Sequence, residues 1–261
     1  MSPVLAPLRG AVVAPRGGSE PALILVAHGS RDPRSAANAA AVRDLVAAQR
    51  PDLTVRLAFL DLNAPSVDQV VDGVAALGFT RAIVVPMLLG SAFHARVDLP
   101  GLLYTARRRH PLLRLDQADV LGPDPRLLDA LRDRIMAAIP EDTAGRIGIA
   151  VAAVGSTRPG ANERTADVAA RIARRTGLLT EICFATSEPT VRGATDRLRD
   201  RGAEHVVVAP WFLAPGLLTD RLRTAAPEST HAPTLGTHPS LAAVVWDRYD
   251  VTVGAEWELT A

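Results

Sequence analysis

Two histidines and one aspartate carry most of the chemistry available to this chain: His28 in "VAHGSRDP", Asp61 in "AFLDLNAP" and His94 in "GSAFHARVDLP". Two imidazoles and a carboxylate suit a borderline divalent ion such as Fe2+, Co2+ or Ni2+. With an ordinary pKa of about 6.5, imidazole is also available at neutral pH as a neutral ligand or as a proton acceptor. Taken singly, each histidine equally fits a polar residue at the end of a strand. Asp61, standing before "NAP", equally fits a cap on the helix that follows.

The elements around these residues decide whether they meet. Short apolar runs alternate with amphipathic stretches: "ALILVAH" then 34–49, "TVRLAFL" then 65–77, "RAIVVPMLL" then 98–109, "LLRLDQADV" then 125–138. Alternation of this kind predicts βαβ units, a parallel sheet and helices on both of its faces. After "PEDTAGR" at 140–146 the series restarts with "IGIAVAAV", 160–176, "LLTEICFA", 189–200, "HVVVAPWFL", 216–225, a weak last strand and a helix near 239–249. The expected architecture is α/β, with two tandem flavodoxin-like αβα domains related by internal duplication. Their expected bounds are a disordered tail at 1–20, a first domain at 21–140, a second at 146–250 and a C-terminal tail at 251–261. In the flavodoxin-like order the first strand lies between the second and the third. His28, Asp61 and the loop holding His94 then share one carboxyl edge, where ligands of open parallel sheets bind.

The duplication separates scaffold from chemistry. Gly29 and Ser30 face Gly155 and Ser156 at an offset of 126, and Pro86 faces Pro210 at an offset of 124. Residues kept in both copies belong first to the fold. His28 faces Val154, and His94 faces Leu218 if the offset of 124 is carried on, so both histidines belong to the first copy alone.

Composition removes other classes. All 29 basic residues are arginine, which excludes a Schiff-base lysine and a phosphate-loop lysine. A net charge of +1 and 4% aromatic residues give neither the field nor the stacking surface that nucleic acid requires. Cys183 is the single cysteine and reads as core filler, which rules out an internal disulfide and a cysteine-cluster metal site. No apolar stretch approaches the roughly 20 residues of a membrane span and no secretory signal pattern is seen, so a cytoplasmic protein is expected.

"ILVAHGSRDPRS", "FLDLNAPS" and "VVPMLLGSAFHARVDLP" closely resemble the sirohydrochlorin chelatase family of the SirB and CbiX type, with "VAPWFLAPGLLTDRL" matching the second domain of its two-domain members. The likeness runs over nearly the whole chain after residue 20. It implies a lyase that inserts Fe2+ for sirohaem, or Co2+ for cobalamin, into a sirohydrochlorin-type tetrapyrrole without ATP and without a further cofactor, in a cleft between two α/β domains. On the matched positions His28 and His94 are the metal-handling and catalytic histidines. Asp61 stands where the family often has glutamate; being one methylene shorter, it ligates directly or through water. Arg31 and Arg96, beside the two histidines, are candidates to clamp the macrocycle's carboxylates, since guanidinium offers paired N–H donors. Ser30 and Ser91 could add hydrogen bonds, and "PMLLGSAF" with "PWFLAPGLL" could supply apolar walls. Both walls of the cleft lie in one chain, so a monomer suffices. Two other readings use the same residues. A histidine phosphatase would want arginine before the histidine, where this chain has Ala27. A metal or tetrapyrrole carrier would bind at the same site without turnover.

Overall fold

The first apolar run is uninterrupted because both faces of the strand it forms are covered, as in parallel sheets generally. In the computed structural model, which describes residues 20–90, 97–156 and 160–255, the chain runs β1 (Ala22–Ala27), α1 (Pro33–Gln49), β2 (Val55–Phe59), α2 (Val67–Ala76), β3 (Arg81–Pro86), α3 (Leu99–Arg109), β4 (Arg114–Gln117) and α4 (Pro125–Ala138). It then repeats as β5 (Ile147–Ala153), α5 (Ala161–Thr176), β6 (Leu179–Phe184), α6 (Val191–Asp200), β7 (His205–Pro210), α7 (Leu217–Ala225), β8 (Thr230–His231) and α8 (Pro239–Gly254). The two four-stranded sheets have orders β2-β1-β3-β4 and β6-β5-β7-β8, and every pairing is parallel. The α/β class and the central position of the first strand are as the sequence predicts.

The two sheets share register as well as order. Val26 pairs with Pro86 and Ala27 with Phe59; in the repeat Ala152 pairs with Pro210 and Ala153 with Phe184. His28 and Val154 therefore occupy the same place in their respective frames.

Each sheet turns one face inward. Leu23, Leu25, Phe59, Ile83 and Val85 share a single core with Ile149, Val151, Phe184, Val207 and Ala209. The outer faces have separate cores, one with Val67, Val71, Leu99 and Leu103 on α2 and α3, the other with Val191, Leu198 and Leu222 on α6 and α7. Between the sheets the last helix of each half has crossed over. α8 packs on α1 and β3 of the first half, while α4 packs on α5 and β7 of the second. Polar contacts follow the same exchange. From α8, Tyr249 donates to the Pro21 carbonyl at 2.7 Å, and Asp250 accepts both guanidinium nitrogens of Arg50 at 2.7 and 2.6 Å. From α4, Asp129 accepts from Arg175 at 2.9 Å, and Arg134 donates to the Leu235 carbonyl at 3.3 Å. Residues 21–140 and 146–250 thus each carry one sheet, but each covers only part of its own inner face, through α1 and α5, and the other half's last helix covers the rest.

The expected C-terminal tail needs correction: α8 continues through Gly254. Val253 packs on the shared core, and the Thr252 carbonyl accepts a bond from Arg81 at 3.2 Å, so these residues are held against β3. The tail expected at 1–20 lies outside the described residues except for Glu20.

Candidate functional site

The carboxyl edge of the first sheet is assembled by backbone contacts that bring His28 and Asp61 together. Leu60 N–H donates to the Ala27 carbonyl at 2.9 Å, and Asp61 N–H donates to the His28 carbonyl at 3.1 Å. The approach is so close that a Cβ on Gly29 would lie 1.8 Å from the Asp61 carbonyl oxygen, and Gly29 has φ of 94°, so only glycine fits. Ser30 N–H donates to Asn63 Oδ1 at 2.7 Å, while Ser30 Oγ accepts from Asp32 N–H at 3.1 Å. The turn 61–63 and the loop 28–32 therefore hold one another.

His28 is exposed, with Nδ1 3.2 Å from the Gly29 carbonyl. A carbonyl only accepts, so this contact favours the tautomer with its proton on Nδ1 and its lone pair on Nε2, the arrangement that suits a metal ligand or a base. The Asp61 side chain is exposed, and its Oδ1 accepts the Leu62 N–H at 2.7 Å. Asp61 does not cap the next helix. That role falls to Ser66, whose Oγ accepts Gln69 N–H at 3.3 Å while Gln69 Oε1 accepts Ser66 N–H at 2.9 Å. Between Asp61 and Asn63, Leu62 has φ of 62°, a left-handed conformation that costs a branched side chain about 1–2 kcal/mol.

Of the other sequence-predicted residues, Arg31 is exposed and Ser30 half-buried on the loop just described. Ser91, His94 and Arg96 lie outside the described residues, as does most of the "GSAF" wall. They belong to the connection 87–98 between β3 and α3, whose counterpart 211–216 between β7 and α7 is six residues shorter. Leu218, which faces His94 at the carried-on offset of 124, lies in the first turn of α7. Among the described residues, which omit His94, no group of three or more His, Cys, Asp or Glu side chains is placed to hold a metal.

The second half keeps the frame and changes the groups. Thr186 N–H donates to the Val154 carbonyl at 3.0 Å, as Asp61 does to His28, and Gly155 has φ of 90°. The Thr186 hydroxyl turns back onto the same Val154 carbonyl at 2.8 Å. Ser156 N–H finds Asn162 Oδ1 at 2.8 Å, so an amide oxygen again secures the loop, though from a different element. Cys183 is fully buried, and burial pushes its thiol up to about 12. It is core filler, as the sequence predicts.

Sequence reasoning overlooked an ion-pair chain on the His28 loop. Asp32 is buried and caps α1, accepting Arg34 N–H at 3.0 Å and Arg34 Nη2 at 2.6 Å. The other edge of the same guanidinium bonds both oxygens of Asp220 on α7 of the second half. The Arg34 hydrogen bonds hold both carboxyls below the usual carboxylate range. A Cβ on Gly216, just before α7, would lie 3.8 Å from that of Asp32, so the two halves meet beside the His28 loop. The signal was present in the duplication: Asp32 and Arg34 face Arg158 and Gly160.

Fold and site together define a duplicated, doubly wound α/β protein in which one sheet edge carries a histidine and an aspartate where its twin carries Val154 and Thr186. The chain belongs to the CbiX family, whose model matches residues 22–138 and again 148–252. Among curated proteins it is 25% identical over 247 residues to the sirohydrochlorin cobaltochelatase of Priestia megaterium, covering 87% of this chain and 78% of that one. It is 26% identical over 234 residues to the sirohydrochlorin ferrochelatase of the same organism, covering 86% and 87%. SirB from Bacillus subtilis, solved with Fe3+, has the same fold, with a TM-score of 0.75 at 22% identity over 91% of this chain and 97% of that one.

Proposed function

We propose that this protein is a sirohydrochlorin chelatase, inserting Fe2+ or Co2+ into the macrocycle without ATP. The observation that carries the reading is the contrast within one frame: His28 and Asp61 stand where the twin edge has Val154 and Thr186, joined by the same backbone bond. In the reaction the divalent ion replaces two pyrrole N–H protons, so the site must strip water from the ion, accept protons and hold the ring. His28 and His94 do the first two, with Asp61 as a direct or water-bridged third ligand. Arg31 and Arg96, with Ser30 and Ser91, bind the carboxylate rim. The metal and the tetrapyrrole are substrates, and one chain supplies both walls. Among the described residues no helix is long and apolar enough to cross a membrane, which fits a reaction carried out in the cytoplasm.

The test is anaerobic: sirohydrochlorin with Fe2+, Co2+ or Ni2+ in turn, followed by visible absorption. Multiple turnovers are expected with at least one ion, and none when His28→Ala and His94→Ala are combined. Val154→Ala should retain near-normal turnover. Full activity in the double histidine variant would sink the reading, and binding limited to one equivalent would make the protein a carrier.

A further inference from the structure

Leu62 unites two features that are each unfavourable. It is the one non-glycine residue with positive φ among the described residues, at 62°, and the residue is 52% exposed. Glycine or asparagine would adopt this backbone more easily, and an exposed leucine recovers little by burial. A turn needing only its shape has no use for leucine.

The surroundings of Leu62 indicate what the side chain serves. Its neighbours clamp the His28 loop, Asp61 through the His28 carbonyl and Asn63 through Ser30 N–H. The turn is anchored at its ends by a bridge between Phe59 and Ser66; the twin turn, bridged between Phe184 and Thr190, is one residue shorter and contains no left-handed non-glycine residue. The extra residue thus occurs only on the edge that carries His28. Other large apolar side chains are exposed on the same rim: Val97, Val154 and Leu217, in or beside the connections leaving β3, β5 and β7. Leu217 follows Gly216, which approaches Asp32 of the His28 loop.

The geometry points to Leu62 as a binding residue for the flat, conjugated face of the macrocycle, an exposed isobutyl group on the turn tied to the His28 loop that covers ring surface. Leu217 offers further apolar contact from the second half. This inference rests on the proposed function and adds a residue outside the metal-handling set.

Leu62→Gly tests it, because glycine relaxes the backbone while removing only the side chain. Sirohydrochlorin is titrated anaerobically without metal, and insertion is then measured at steady state. The variant should melt no lower than the wild type, and its Kd and KM for sirohydrochlorin should rise about tenfold, as expected for a lost apolar contact. With kcat and the affinity for Co2+ alone unchanged, the loss is one of ring binding. Leu62→Met, which keeps an apolar side chain, should bind within about twofold of the wild type. Wild-type affinity for sirohydrochlorin in Leu62→Gly overturns the inference. If the wild type binds the macrocycle but inserts no metal, the proposed function fails while the comparison of Kd values still decides the role of Leu62. A wild type that does not bind sirohydrochlorin overturns both.

Discussion

Gly29 shows how completely one residue can be fixed by its neighbours. Its positive φ and the Asp61 carbonyl oxygen, 1.8 Å from any added Cβ, leave no room for alanine. Gly29→Ala should lower stability by about 2–4 kcal/mol in urea unfolding, because backbone rather than a flexible side chain must move. Gly155→Ala should cost less, since the atoms it would meet, the Ser187 hydroxyl oxygen at 2.5 Å, which can rotate away, and the Phe184 Cβ at 2.8 Å, stand farther off than the backbone oxygen at Gly29. Asp61 carries a second prediction at this scale. Asp61→Asn keeps an oxygen for the Leu62 N–H but loses the charge, so turnover should fall at least tenfold with melting temperature unchanged, whereas Asp61→Glu should retain activity. Equal activity in Asp61→Asn would remove the carboxylate from the mechanism. His28 and Asp61 were legible as residues because their types are informative. Leu62 and Asn63 were not, because nothing about leucine or asparagine announces a left-handed turn or a bond to Ser30 N–H.

The helix termini explain why the boundaries in the sequence were so nearly right. Asp32, Ser66 and Asp124 cap α1, α2 and α4, and proline opens the first and last of these helices, so the chain states where they begin. Asp124 does more than cap. It accepts Arg126 Nη2 at 2.8 Å and Arg248 Nη2 from α8 at 3.2 Å, and the Arg126 hydrogen bond holds its carboxyl below the ordinary range. A carboxyl with a depressed folded pKa contributes stability above its unfolded value, about 4, and that contribution is lost as pH falls through the lower folded value. Asp124→Asn preserves the cap and removes the charge. It should cost about 1–2 kcal/mol at neutral pH, and the difference from the wild type should shrink toward zero as pH falls from about 4 through the lower folded value. A pH-independent difference would show that the ion pair contributes nothing. The bridge from Asp124 to α8 lies beyond such local reading, since Arg248 is 124 residues away.

At the scale of the molecule, the exchange of α4 and α8 makes the halves interdependent. Without α8 the first sheet exposes its inner face around Ile83 and Val85; without α4 the second exposes Val207 and Ala209. Urea unfolding should therefore be a single transition by both circular dichroism and tryptophan fluorescence. A fragment ending at residue 140 should not fold alone, and mixing it with residues 141–261 should restore native helicity. A stably folded fragment would show that the crossing helices are dispensable. By itself the sequence determined the elements, the duplication, the parallel α/β class and the residues whose side-chain types suit a metal, because periodicity, capping and side-chain chemistry are local properties. Only the tertiary structure decided which sheet each last helix covers, that Arg34 joins Asp32 to Asp220 across the halves, and that the turn beside His28 forces Leu62 into the left-handed region. The physical reason lies in the duplication: the two inner faces are similarly apolar, so α4 and α8 match either, and the choice is made when the chain closes around one shared core.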